Sequence, residues 1–203
     1  MAVLATDDFN RANTTGPDLG ANWTNVGAPF FADNGYQIVS NTAQPTTFGS
    51  DKLEYYSGAS FPANQYSQAK VTVTGTTGGT GLGVSVRSSS AGTCYRVVVS
   101  KAVANNVVVG RVIAGVFATI DAFTATWVDG DVLKLEAQGT RLRVFQNGVQ
   151  LDIDFFDTNI ASGQPGIAYS STTTAGSLDD WEGGTLSSAG DDPPQRILGY
   201  GSC

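Results

Sequence analysis

RLRVFQNGVQLDIDFFD, residues 141–157, decides the fold class. Two runs of alternating apolar and polar residues flank Asn147-Gly148. Asn-Gly between such runs is a strong short-range hairpin signal, because a type I′ turn needs positive φ at both central residues. A two-residue turn here sets the register: Val144 faces Leu151 and Leu142 faces Ile153 on one side of the ribbon. On the other side Phe145 faces Gln150, Arg143 faces Asp152 and Arg141 faces Asp154. The apolar pairs are expected to face a core. The Arg–Asp pairs are expected to face water and to contribute about 0.2–1 kcal/mol each.

The same alternation recurs along the chain. YSQAKVTVT (66–74) places Ala69, Val71 and Val73 against Lys70, Thr72 and Thr74. GLGVSVRS (81–88) places Leu82, Val84 and Val86 against Ser85 and Arg87. GTTGGT between them reads as a turn; it is glycine-rich but lacks the Lys-Ser/Thr ending and following helix of a phosphate loop. Further strands are predicted at GYQIVSN (35–41), KLEYY (52–56), CYRVVVS (94–100), NVVVGRVI (106–113), VFATI (116–120), DVLKLEA (131–137), GIAYSS (166–171) and SLDDWEG (177–183). No helix pattern appears, and the seven prolines fall outside the strand centres, where a missing N–H would break a ladder. Roughly a dozen short strands with frequent turns point to an all-β, two-sheet antiparallel jelly-roll sandwich. It is expected over residues 1–183, followed by an extended C-terminal arm over 184–203.

Composition excludes several chemistries. The 203 residues contain no histidine, which removes Ser-His-Asp and Cys-His catalysis, histidine metal ligation and histidine pH switching. Eleven basic residues against 18 acidic ones give a net charge of −7 without a cationic cluster, so nucleic acid is not an expected partner. Cys94 and Cys203 have no metal-ligand spacing, and Cys94 reads as a small core residue. The start, MAVLATDDFN, lacks a basic region followed by an apolar one, so no secretory signal is expected. No apolar run is long enough to cross a membrane as a helix. Synthesis in a cytosol, combined with a Thr-, Gly- and Asn-rich surface composition, fits a virion protein released by lysis.

The stretch from Trp127 to Gly184 has a Gly-Asp strand entry, a strand ending in NGV, a GQPGI strand entry and a closing DDWE. Together with the opening DDFNRAN…LGANW it resembles the concanavalin A-like lectin/glucanase superfamily in its laminin-G-like form, as found in tailed-phage structural proteins. The resemblance covers about residues 5–183. It implies a jelly roll with adjacent N- and C-terminal strands, in a superfamily of glycan-binding modules, glycosidases and structural virion domains. Asp152, Asp154 and Asp157 have the spacing D-x-D-x-x-D, close to the E-x-D-x-x-E strand motif of retaining β-glucanases. Aspartates replace the glutamates, however, and the run follows the NGV hairpin rather than preceding the corresponding strand. A retaining pair needs two carboxyls about 5–5.5 Å apart with one protonated, and an arginine opposite each aspartate opposes protonation. Catalytic residues are therefore not expected.

Three other candidate sites follow. With the terminal strands adjacent, Asp7-Asp8 and Asp179-Asp180 would meet; Asp8, Asp179 and Asp180 are candidate calcium ligands, since calcium takes six to eight oxygens. Trp23, Trp127, Trp181, Tyr36, Tyr55 and Tyr56 are candidates for either a sugar-stacking platform or the core. In the arm, a flexible GGTLSSAG, a stiff DDPPQ and an apolar RILGY suggest a docking peptide in which Arg196, Ile197, Leu198 and Tyr200 meet a neighbouring subunit or the particle surface. The leading expectation is a non-enzymatic, homo-oligomeric subunit of a phage virion, in a capsid-decoration or tail position. The alternative is a glycan-binding module for a host surface, and the third is a glycoside hydrolase.

Overall fold

The computed structural model describes residues 1–31, 35–47, 50–73, 81–100, 106–170 and 176–187. Among them every regular element is a strand. The strands are β1 (Ala2–Asp7), β2 (Trp23–Asn25), β3 (Tyr36–Val39), β4 (Thr42–Pro45), β5 (Lys52–Tyr56), β6 (Gln65–Val73), β7 (Gly81–Ser89) and β8 (Thr93–Val99). They continue as β9 (Val107–Ile113), β10 (Val116–Phe123), β11 (Asp131–Gln138), β12 (Arg141–Gln146), β13 (Val149–Phe156), β14 (Gln164–Ser170) and β15 (Gly176–Thr185). One sheet has the order β13-β12-β11-β6-β15-β4-β3, with β1 also paired to β15; the other has the order β10-β9-β8-β7-β14-β5-β2. All of these ladders are antiparallel.

The alternation places the core as expected. Ala69, Val71, Leu133, Leu135, Val144 and Leu178 of the first sheet pack with Val84, Val86, Tyr95, Val97, Val109 and Ile167 of the second. Burying each aliphatic side chain contributes about 1.5–3 kcal/mol before ordering costs. The second sheet is covered on its other face as well. There Leu53, Cys94, Val98, Val112 and Ala168 lie beneath Val26 and Phe31. Cys94 is thus a core residue, and burial pushes its thiol up to about 12.

The hairpin forms as its sequence requires. Asn147 and Gly148 have φ of 50° and 80°, and Val144 faces Leu151 while Phe145 faces Gln150. The expected register fails beyond that point. A bulge places Phe155 opposite Leu142 and Phe156 opposite Arg141, with Asp152 at φ 55°. The straight pairings Leu142–Ile153 and Arg141–Asp154 are replaced, and Arg143 lies across from the bulge. Arg143 reaches Glu136 at 2.8 Å, and Arg141 reaches Asp154 diagonally at 3.4 Å.

A second departure lies in β7. Ser85 and Arg87 were read on the polar face opposite Leu82, Val84 and Val86, yet both are buried. At the sandwich's C-terminal end, β15 runs through Gly184 and Thr185, and Leu186 is buried with its N–H bonded to the Asn64 carbonyl at 3.0 Å. The sandwich therefore extends past residue 183. Arg196, Ile197, Leu198 and Tyr200 lie outside the described residues.

Candidate functional site

The terminal strands do meet: Asp7 of β1 lies opposite Trp181 of β15. Beside this pairing is a cleft of about 510 Å³ whose walls include Asp7, Asp8, Arg11, Asn22, Tyr56 and Glu182, with Asp180 and Trp181. Asp7 organises it. Its Oδ1 accepts the Phe9 N–H at 2.9 Å and Arg11 Nη1 at 2.7 Å; its Oδ2 accepts Arg11 Nη2 at 2.9 Å and Trp23 Nε1 at 2.7 Å. Arg11 also donates to the Leu19 carbonyl at 2.6 Å. With four hydrogen bonds to its two oxygens, Asp7 is committed to holding Arg11 and Trp23 in place.

The other carboxylates face the opening with acceptor capacity in hand. Asp8 is exposed, and the Asn10 N–H holds its carboxyl below the usual range. Asp180 sits at φ 45° in a bulge of β15 against β6, which turns it out beside Lys70. Both side chains of that pair are about half exposed, so it is a weak surface ion pair. Glu182 accepts the Tyr66 hydroxyl at 2.6 Å. Burial raises the carboxyl of Asp179, and the charges of Asp180 and Asp8 add to the effect.

Behind these groups lies an aromatic cluster. Tyr56 stacks on Trp181 at 5.0 Å and 22°, and Trp23 meets Trp181 edge-on at 4.8 Å. Trp181 is 1% exposed and donates its Nε1–H to Ser67 Oγ at 2.9 Å. Trp23, Trp127 and Tyr36 are also buried, whereas Tyr55 and Tyr56 are half-buried. The six candidate aromatics therefore form no continuous platform, and of this cluster it is Tyr56 that is both partly open and beside the cleft.

The D-x-D-x-x-D run is split between two environments. Asp154 accepts from Gln150 at 3.0 Å and from Arg141 on the sheet face. Asp157 is 9% exposed and belongs to a different cluster. It accepts the Tyr95 hydroxyl at 2.6 Å, the Asn159 N–H and Nδ2 at 2.8 Å each, and Arg111. Burial alone would raise its pKa, but these donors outweigh that and hold it at about 2. The cluster around Asp157 therefore holds that carboxyl ionised rather than as the protonated partner of a retaining pair. For calcium, the strands bring Asp8 towards Asp180, but Asp180 is tied to Lys70 and Asp179 Oδ1 accepts the Asp180 N–H at 2.8 Å. Among the described residues no group of three or more acidic, cysteine or histidine side chains is disposed to hold a metal. The convergence of the acidic pairs followed from adjacent terminal strands, and Tyr56 was among the candidate stacking aromatics; Arg11 and Asn22 join from separate segments and were not singled out as site residues.

No protein-family model and no curated protein matches the chain. Solved structures do. The carbohydrate-binding module CBM66 from Bacillus subtilis superposes with a TM-score of 0.63 at 17% identity, over 81% of this chain and 96% of that one. The exoplasmic/lumenal domain of VIP36, in its Ca²⁺/Man3GlcNAc-bound form, superposes with a TM-score of 0.56 at 11% identity, over 82% and 89%. The GH43 protein BlXynB from Bacillus licheniformis superposes with a TM-score of 0.59 at 12% identity, over 89% of this chain but only 39% of the enzyme. With its two antiparallel sheets and its paired terminal strands, the chain has the jelly-roll fold that its resemblance to the concanavalin A-like lectin/glucanase superfamily implied, and shares it with these solved structures.

Proposed function

We propose that the protein is a non-enzymatic glycan-binding module whose ligand occupies the cleft between β1 and β15. The observation that carries this reading is the combination of groups around one opening of sugar-binding size. Asp8, Asp180 and Glu182 present acceptors, Arg11 and Asn22 present donors, and Tyr56 presents a ring. Sugar hydroxyls both donate and accept, so a saccharide can satisfy both kinds of group, while its C–H face packs on an aromatic ring. Asp7 fixes the direction of Arg11, which lowers the ordering cost of binding. Support comes also from the matched folds, which include a carbohydrate-binding module and a lectin domain in a glycan-bound form. The virion-subunit expectation rests on the sequence alone, and no structural observation favours it.

The test is a glycan array followed by calorimetry on the best ligand. Asp180→Ala and Tyr56→Ala should each weaken binding by about tenfold or more, since a lost charged or aromatic contact costs on the order of 1.4 kcal/mol or above. Absence of any glycan ligand, or full affinity in both variants, overturns the proposal. Release of reducing sugar from the bound glycan would overturn its non-enzymatic part.

A further inference from the structure

A second pocket, of about 230 Å³, lies away from the cleft where three loops converge. Its walls come from the segment before β6 (Ala63, Asn64), the β11–β12 turn (Gly139, Thr140) and the segment after β13 (Asp157 to Ala161), with Arg87 of β7 behind them. Strand alternation would turn Arg87 outward. Instead β7 carries a bulge in its pairing with β8 after Val86, its pairing with β14 is also irregular here, and Arg87 adopts φ 53°. A bulge re-aims a side chain, and a non-glycine residue at positive φ persists only where its surroundings fix it. The result is an arginine that is only 3% exposed.

The partners of that guanidinium are all neutral. Nε donates to the Ala63 carbonyl at 3.1 Å, Nη1 to the Ile160 carbonyl at 2.7 Å and Nη2 to the Gly139 carbonyl at 2.7 Å. A guanidinium has five N–H donors; three are used, which leaves one on each terminal nitrogen. Among the described residues no carboxylate pairs with Arg87. Asp157 shares the pocket wall, but its oxygens are taken by Tyr95, Asn159 and Arg111. The cluster thus holds two arginines against one carboxylate, within a chain of net charge −7. Buried charges are ordinarily paired, because desolvation of a lone ion is costly. Burial accordingly holds the Arg87 guanidinium below its usual pKa.

We propose that this pocket binds a small oxyanion, the sulfate, phosphate or carboxylate group of a ligand, on the two remaining N–H donors of Arg87. Two N–H groups on a planar fork match two oxygens of such a group. The volume has room for it together with ordered water, each water taking about 30 Å³. The site is independent of the cleft between β1 and β15 and does not require that the cleft bind a glycan.

The test is a titration of the ¹⁵N-labelled protein with sodium sulfate against sodium chloride at matched ionic strength, followed by glucuronic acid as a sugar-borne carboxylate. Sulfate should give saturable shifts of the Arg87 Nε–H and of the Gly139 and Ile160 amides, and chloride should not. Tighter binding of glucuronic acid than of sulfate would identify a sugar-borne group as the ligand; tighter sulfate binding would identify the free ion. Ala161→Asp puts a negative charge on the exposed rim without touching the Arg87 hydrogen bonds, and should weaken sulfate binding at least tenfold. Arg87→Gln, if it folds, should abolish binding. Equal responses to sulfate and chloride, or equal sulfate binding by the wild type and Ala161→Asp, would overturn the proposal.

Discussion

Asp157 and Glu54 are both buried carboxylates, and the fold drives them in opposite directions. Asp157, after β13, is surrounded by donors: a tyrosine hydroxyl, an asparagine and an arginine. It is held at about 2. Glu54, on β5, is 2% exposed, accepts the Tyr36 N–H at 2.6 Å and lies opposite Asn25 of β2. Burial pushes it up to about 8, one backbone donor opposes that only partly, and the charge of Asp18 adds to the rise. The difference teaches that depth alone does not determine protonation. What counts is how many donors the surrounding loops contribute and whether a cation is among them.

The largest expected effect is on the pH dependence at Glu54. Its folded pKa of about 8 lies above the ordinary glutamate value of 4.5. Its contribution to stability is therefore complete below about pH 4.5, falls as the unfolded chain ionises, and is lost as pH rises through about 8. The loss amounts to at most about 1.4 kcal/mol for each pH unit crossed. Glu54→Gln keeps an acceptor for the Tyr36 N–H and should flatten this slope. An unchanged decline in the urea midpoint between those pH values would show that Glu54 ionises normally.

Asp157 should act on the acid side. Its folded pKa is below the ordinary aspartate value of 3.8, so its contribution is present above that pH and is lost as pH falls towards 2. Asp157→Ala strands the buried Tyr95 hydroxyl and should cost about 1–3 kcal/mol at neutral pH. Denaturant unfolding of the variant checks this, and a cost below a few tenths of a kcal/mol would mean that the donors find water instead. The smallest effect is expected on the sheet face. Asp154→Asn breaks a 3.4 Å pair with Arg141 whose side chains are 23% and 30% exposed, and should change stability by less than about 1 kcal/mol. A larger loss would show that the bulged end of the hairpin depends on that charge.

The contrast between these two carboxylates was not legible in the sequence, although the strands that carry them were. Alternation marks β5 and β13, and the Asn147-Gly148 turn marks the hairpin. Periodicity cannot report how a loop closes over the end of a strand, which decides the environments of Asp157 and Arg87. Nor could it locate the bulges at Arg87 and Asp152, since neither position carries the glycine or asparagine that usually announces positive φ. Three strands escaped for a simpler reason. β2 and β4 are three and four residues long, and most of β1 is exposed, so none shows a clear apolar face. Of the cleft, the acidic residues at the two terminal strands were foreseeable, because strand adjacency brings them together, and Tyr56 and Trp181 were candidates by residue type though not by position. Arg11, Asn22 and Tyr56 come from other segments, placed there by tertiary packing.

The pairing of β1 with β15 has a consequence for how the domain can be carried. Ala2 lies opposite Thr185, at the ordinary interstrand spacing of about 5 Å. A carrier protein whose surface loop was cut open at one peptide bond would receive the whole sandwich through that single opening, with its own two flanks left almost where they were. The domain behaves as a plug with both leads on the same side. Insertion at such an opening would put little strain on what lies before or after it.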